Sequence, residues 1–388
     1  MAFMQEEIRQ QPAIVADLSR RREPFAVAVR EARDAGVRFV LYAARGTSDN
    51  AAVYGKYLAT IRAGLPAGLA IPSAATVYDA PIHFRECLVI GISQSGETPD
   101  VAEYLAHARE AGAFTIAVTN DEHSLLAREA QAVLATRVGA ERAVAATKTY
   151  TSQLAALALF WATWTRDDAL IEQMQERVPT AMAEALDLEP QVAEAATWLR
   201  FTERLVVAAR GYNFATALET ALKLKETTYI AAMPYSSADF LHGPIAMVEQ
   251  GFPVLLFTLP GKTGPAMRDL EAELLRRGAE LIVVEADDTA KPVGGAQAAR
   301  ADGAKASASG ATARGGAQAN AGRTQVRRAG GPARAARRRV LTVPGGLDEA
   351  LTPLVAALPG QMLAYHLAVA RGYDPDRPRG LSKVTRTF

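Results

Sequence analysis

Two clusters of polar side chains have the types and spacing to do chemistry. In ISQSGETPD (92–100) the apolar run CLVIGI ends in Ser93, Gln94, Ser95, Gly96 and Thr98, and Pro99 then opens a helix with Thr98 as its N-cap. Hydroxyls, an amide and backbone N–H groups at a helix N-terminus can hold a dianionic phosphate without a cation. Taken alone, the stretch reads equally well as a capped turn of small polar residues. In ALETALKLKETTYI (217–230), Glu219, Lys223 and Glu226 stand at i, i+4 and i+7 and share one helix face, with Leu218, Leu222 and Lys225 turned away. A carboxylate beside a lysine stays ionised near neutrality, as a general base must. The competing reading is a solvated Glu–Lys ladder that contributes little.

Three lesser candidates accompany them. Ser48, in ARGTSDN, either bonds a sugar hydroxyl or caps the helix that follows. Thr147, in ATKTYTSQ (146–153), is expected to cap another helix at the same edge. His242 is followed by Gly243 and Pro244, a local stop that holds the imidazole at a helix end, while His83, His107, His123 and His366 lack such a setting.

The elements that carry these groups repeat. VLYAARG (40–46) recurs as LVVAARG (205–211), VIGISQSGET (89–98) falls on VLLFTLPGKT (254–263), and FTIAV (114–118) on AELIV (279–283), all at an offset of 165. Strand-like runs, Gly-containing turns and helix-period segments alternate in each copy, which predicts an α/β fold of two doubly wound parallel sheets covered by helices. The strand-to-helix turns then lie at the carboxyl edge, where ligands bind. In the second copy Thr258, Leu259, Pro260 and Lys262 replace most of the small polar groups, so one phosphate site per pair of domains is expected. The expected organisation is a helical lead-in over 1–30, a first domain over 31–169, a helical linker over 170–198 broken at Pro179 and Pro190, a second domain over 199–372 and a tail over 373–388. On composition alone the tail is a solvated end.

The 388 residues hold 43 Lys or Arg and 42 Asp or Glu, but this balance averages two unlike parts. Residues 291–339 carry 9 Arg and 2 Lys against the single acid Asp302, so the remainder is acidic. That stretch has 16 Ala and 9 Gly, with only Val293 and Val326 as sizeable apolar groups, and cannot bury enough surface to offset its ordering entropy. The strand at Val133 has its counterpart near Val340, an offset of 207 instead of 165, so the second copy carries 42 extra residues between two strands. A disordered surface loop, a nucleic-acid arm and a frame-shifted reading compete as accounts of it, and the last is favoured.

Several classes fall away. Apolar runs such as LAALALFWA (154–162) are far short of the roughly 20 residues of a membrane span, and the N-terminus lacks the apolar core of a signal peptide. The single cysteine, Cys87, permits no internal disulfide and fits a reducing cytoplasm. No metal-binding spacing of His and Cys is present, and no cofactor is implied. Outside the basic stretch an acidic globule offers nucleic acid no surface.

Together ARGTS, GISQSGET, ATK-x-x-T-x-Q, ALETALKLKE, LHGP and PRGLSK resemble the sugar isomerase (SIS) family, in particular the tandem-domain isomerase half of glucosamine-6-phosphate synthases and the SIS-type glucosamine-6-phosphate deaminases. The resemblance implies two flavodoxin-like domains, usually paired in a homodimer, acting on a 6-phosphorylated sugar. It implies that Ser93, Gln94, Ser95 and Thr98 hold the phosphate and Ser48 a sugar hydroxyl. It further implies that Glu226 moves a proton between C1 and C2, with Glu219 and Lys223 beside it. By the same resemblance His242 opens the sugar ring from the neighbouring subunit, and Lys383 bonds the open-chain sugar. Two departures stand out: no N-terminal cysteine serves for glutamine hydrolysis, and Ala146 stands where the synthase has a ligand-contacting serine. The expected reaction is therefore conversion of glucosamine 6-phosphate to fructose 6-phosphate and ammonia. A galactosamine- or fructosamine-type substrate, or a non-catalytic phosphosugar sensor, are the alternatives.

Overall fold

The apolar runs fold into ten strands in a computed structural model that describes residues 2–287 and 337–383. The first sheet contains β1 (Phe39–Ala44), β2 (Ala67–Leu69), β3 (Cys87–Ser93), β4 (Phe114–Thr119) and β5 (Ala132–Ala135), in the order β2-β1-β3-β4-β5. The second contains β6 (Arg204–Ala209), β7 (Ala231–Ser236), β8 (Pro253–Thr258), β9 (Glu280–Ala286) and β10 (Arg338–Val343), in the order β10-β9-β8-β6-β7. All neighbouring strands run parallel. The two sheets are wound identically, as the 165-residue offset predicts. Every residue of β3 and β4 is buried, which is why these strands read as unbroken apolar runs instead of alternating ones.

The repeat did not reveal the edge strands β2 and β7. Ala67–Leu69 is too short to show a period, and Pro234 lies inside β7, where only an edge strand tolerates the missing N–H. Strand order reverses between β1 and β3 and again between β6 and β8. Those switch points open a crevice at the carboxyl ends of the strands.

Helices Phe3–Arg20 and Arg22–Asp34 lead in, and the first packs on helix Lys148–Thr165 and on the linker helices Asp168–Glu176 and Val178–Leu186, while the third linker helix, Glu189–Leu199, packs on Thr352–Ala370. Pro179 and Pro190 each sit in the first turn of a helix, so they start these helices. One core cluster runs through both sheets and includes most of Lys148–Thr165 and nine residues of the last helix, Thr352–Ala370. The helical stretch Glu349–Ala370 is long and apolar enough to cross a membrane, contrary to the reading that all apolar runs fall short; 78% of its apolar window is buried inside the protein, as a core helix requires.

Most of the anomalous basic stretch lies outside the described residues. Its end does not: β10 begins at Arg338, ahead of the Val340 expected, and the Arg338 guanidinium bonds Glu271 at 2.6 Å and Glu285 at 2.5 Å. Arg338 and Arg339 therefore belong to the fold and not to the insert.

Candidate active site

The turn after β3 is built as a cradle of small groups. Gly96 has φ +69° and a Cβ there would lie 2.0 Å from Ser124 Oγ, so only glycine lets the chain pass. Ser93 Oγ accepts from the Gly96 N–H at 3.1 Å and lies 2.9 Å from Thr98 Oγ1, while Ser95 Oγ accepts from the Glu97 N–H at 3.2 Å. Thr98 is the N-cap of helix Pro99–Glu110, but its hydroxyl faces Ser93 and makes no capping bond. Arg45 reaches the same edge from the end of β1, with Nε and Nη2 at 2.8 and 2.7 Å from the Asp100 carboxylate in that helix's first turn.

The other half of the site comes from the second domain. Helix Phe214–Thr228 packs against helix Gly46–Arg62 of the first, so the Glu219–Lys223–Glu226 face meets protein and not solvent. Side-chain exposures of 1% for Lys223 and 2% for Glu219 rule out the solvated ladder. Lys223 Nζ lies 2.5 Å from Glu226 Oε2, 3.5 Å from Glu219 Oε1 and 3.0 Å from Thr47 Oγ1. Glu219 also accepts from Thr47 Oγ1 at 3.2 Å and Asn50 Nδ2 at 2.8 Å. Burial pushes the Glu219 carboxyl above its ordinary value despite Lys223. For Lys223 burial acts against the ammonium, yet Glu219 and Glu226 outweigh it and raise its pKa, so the lysine stays charged.

Ser48 lies inside helix Gly46–Arg62, where it caps nothing; its Oγ accepts from Gln153 Nε2 at 2.9 Å. Thr147 likewise makes no capping bond. Glu141 takes that role, accepting from the backbone N–H of Thr147 at 2.7 Å and of Thr149 at 3.1 Å. The tail is not a solvated end: Asp376 accepts from the N–H groups of Phe3 and Met4 at 2.7 and 2.8 Å, and Lys383 Nζ reaches Glu141 Oε2 at 3.1 Å and the Ala143 carbonyl at 2.6 Å.

These elements enclose a pocket of about 340 Å³, within the range of small-molecule sites. Ser48, Ser93, Gln94, Ser95 and Thr98 line it from the first domain, Lys223 and Glu226 from the second, and Lys383 from the tail. Of the ten residues to which the resemblance gives a role, two are absent from its wall. Glu219 is buried behind Lys223. His242 ends helix Ser237–Leu241 as expected, but it is exposed and does not line its own chain's pocket.

In the second domain the equivalent turn is closed by the chain itself. Glu349 accepts from the N–H groups of Lys262 and Thr263 at 2.8 and 3.2 Å and from Thr263 Oγ1 at 2.7 Å. Gly261 has φ +126°, and a Cβ there would meet Glu349 within 2.3 Å. A carboxylate thus fills the space that the first domain leaves open.

Comparison with known proteins fits this geometry. The family model for the SIS domain matches residues 10–162 and 199–292, more than half the chain and once in each sheet. The chain belongs to the SIS domain family. A glutamine–fructose-6-phosphate aminotransferase (isomerizing) from Methanothermobacter thermautotrophicus is 33% identical over 98% of this chain, which spans 57% of that protein's length. A Silicibacter pomeroyi protein provisionally named a phosphosugar isomerase is 29% identical with a TM-score of 0.75, covering 97% of this chain and 100% of that one. The fold is shared with a glucosamine-6-phosphate deaminase from Thermotoga maritima at 20% identity and a TM-score of 0.71, over 100% of each chain.

Four residues of this SIS pair were given no role in the sequence reading: Arg45, Thr47 and Gln153, which lie inside the ARGTS and ATK-x-x-T-x-Q motifs, and Glu141, which lies outside every motif. Arg45 did leave a signal, since AARG recurs with Arg210 at the 165-residue offset. Thr47, Glu141 and Gln153 act on groups distant in sequence, and local spacing cannot show those partners. Cys87, at the start of β3, is buried, which pushes its thiol up to about 12 and leaves no reactive thiolate.

Proposed function

We propose that this SIS protein is a phosphosugar isomerase that acts as a deaminase, taking glucosamine 6-phosphate and water to fructose 6-phosphate and ammonia. One observation carries the reading: Glu226, paired with Lys223, opens into the same 340 Å³ pocket as the Ser93–Thr98 turn. A phosphate on the turn and a carboxylate across the pocket are the two groups that a 6-phosphosugar isomerase needs.

In the proposed reaction the phosphate sits among Ser93, Gln94, Ser95 and Thr98, with Arg45 and Lys383 adding positive charge at the edge. Ser48 bonds a sugar hydroxyl; Gln153 donates to its oxygen, which frees the Ser48 proton to donate to the ligand. The open-chain aldehyde loses its C2 proton to Glu226 as O1 takes up a proton from water, giving an enolamine; Glu226 then returns its proton to C1 as the amine nitrogen gives one up to water. The resulting C2 imine adds water and releases ammonia, leaving the ketose. Lys223 holds Glu226 in place through their 2.5 Å contact, and Glu219 secures Lys223 from behind. His242 is the proposed ring-opening acid or base of a neighbouring copy, since its own chain leaves it outside the pocket. A homodimer is part of the proposal for that reason.

The likeness to the Methanothermobacter aminotransferase supports a fructose 6-phosphate-sized ligand, and the fold shared with a protein named a glucosamine-6-phosphate deaminase is consistent with the deaminase reading. Every group used in the proposed steps belongs to the SIS pair, with water as co-substrate. The test is incubation of the purified protein with glucosamine 6-phosphate and, in parallel, galactosamine 6-phosphate, following ammonia and ketose together. Ammonia and fructose 6-phosphate in equal amounts from the first are expected. Binding of both sugars with no product from either overturns the reading in favour of a sensor.

A further inference from the structure

Beneath the pocket lies a carboxylate that the steps above do not use. Glu141 has a side-chain exposure of 0%, in the loop before helix Lys148–Thr165. Besides the two backbone donors already described, it accepts from Thr149 Oγ1 at 2.7 Å and from Lys383 Nζ at 3.1 Å. Burial acts to neutralise it, but Lys383 and the Thr147 and Thr149 donors outweigh burial and hold the carboxyl below its ordinary value of 4.5. A fully buried anion of this kind depends on its cation and its donors together.

The cation it has chosen comes from the tail. Glu141 and the Ala143 carbonyl engage two of the three ammonium hydrogens of Lys383, which leaves one to donate to whatever fills the pocket. Val144 and Ala146, from the loop that Glu141 anchors, line the same pocket, as do Leu381 and Ser382 beside Lys383. From the far side Glu7 accepts from the N–H groups of Arg142 and Ala143. Loop, helix start and tail are therefore joined at Glu141.

We propose that Glu141 is a positioning residue, which fixes Lys383 and the Leu381–Lys383 segment against the pocket so that one ammonium hydrogen points at the ligand. Its effect on turnover rests on the isomerase–deaminase reading, while its hold on Lys383 does not. The pairing has no counterpart in the spacing of the sequence, because 242 residues separate the partners.

The experiment combines trace acetic anhydride labelling, read by mass spectrometry, with steady-state kinetics on Glu141→Gln, Lys383→Met and the double variant. Lys262, an exposed lysine, is the internal reference. Labelling of Lys383 relative to Lys262 is expected to rise several-fold in Glu141→Gln, because the ammonium is no longer held against the loop and becomes accessible to the reagent. With glucosamine 6-phosphate, kcat/KM of the double variant should match that of Lys383→Met, because a residue that acts only through another adds nothing once that other is gone. Unchanged labelling, or losses that multiply in the double variant, overturns the proposal and leaves Glu141 as a helix cap only. Should Glu141→Gln not fold, Glu141→Asp keeps the charge but shortens the side chain and draws the carboxylate back from Lys383; a several-fold rise in Lys383 labelling is expected, and none overturns it. If the wild type releases no ammonia, the labelling arm still stands, so failure of the functional reading and failure of this one are told apart.

Discussion

Thr47, on the first turn of the first domain, accepts a hydrogen bond at 3.0 Å from Lys223, on the second domain's helix. Its hydroxyl donates in turn to Glu219 at 3.2 Å, so one small side chain serves both charges of a buried pair. The two domains are joined at the point where the candidate acid–base group stands. A motion of one domain relative to the other would therefore displace Glu226 from the phosphate turn.

Removing the cation should be costly. Lys223→Met leaves Glu219 buried without its ion pair, and a loss of roughly 3 kcal/mol of unfolding free energy is expected, against roughly 1 kcal/mol for Thr47→Val. Urea unfolding of both variants checks the ranking, and an equal loss in the two would contradict it.

The phosphate turn makes a separate prediction. Ser95→Ala and Thr98→Val should each weaken binding of the phosphosugar by about tenfold or more, since hydrogen bonds to a charged group contribute about 1.5–3 kcal/mol each. Calorimetric titration with fructose 6-phosphate, and with fructose as the unphosphorylated control, measures this. Only the phosphorylated ligand should respond.

Much of this arrangement was legible in the sequence, for physical reasons. The 165-residue offset exposed the duplication because buried parallel strands must stay apolar in both copies. The spacing of Glu219, Lys223 and Glu226 exposed a shared face because helical periodicity is local. What stayed hidden was long-range: Glu141 to Lys383, Gln153 to Ser48, Asp376 to the first helix. Thr98 and Thr147 stand at the N-cap positions expected of them, but neither hydroxyl makes the capping bond: that of Thr98 faces Ser93, and Glu141 bonds the N–H groups of Thr147 and Thr149, while Ser48 lies within its helix and bonds Gln153. The tail's role was invisible to composition and came only from the resemblance of PRGLSK to its family.

Glu349 offers a test of the inequality between the two copies. Glu349→Ala removes the acceptor from two N–H groups and one hydroxyl of the second turn, and a loss of about 1–3 kcal/mol is expected with phosphosugar affinity little changed. A large loss of affinity would instead place the ligand in the second domain.

The pH dependence of stability reports on Glu141. Its carboxyl titrates below 4.5 in the folded chain, so its stabilising contribution is present above the unfolded value and lost as pH falls through the folded one. Glu141→Gln should therefore lose more stability at neutral pH than at pH values below about 4, narrowing its gap to the wild type on the acid side. Urea midpoints at pH 7 and in the acid range decide it, and a gap that does not narrow would show that the charge contributes nothing.

The central claim is that Glu226 moves the proton. Turnover of glucosamine 6-phosphate by Glu226→Gln measures it most directly, with ligand affinity determined on the same preparation. The account predicts that kcat falls by about 10²–10⁴-fold while the Kd for the phosphosugar stays within a few-fold of the wild type. Turnover equal to that of the wild type would contradict it.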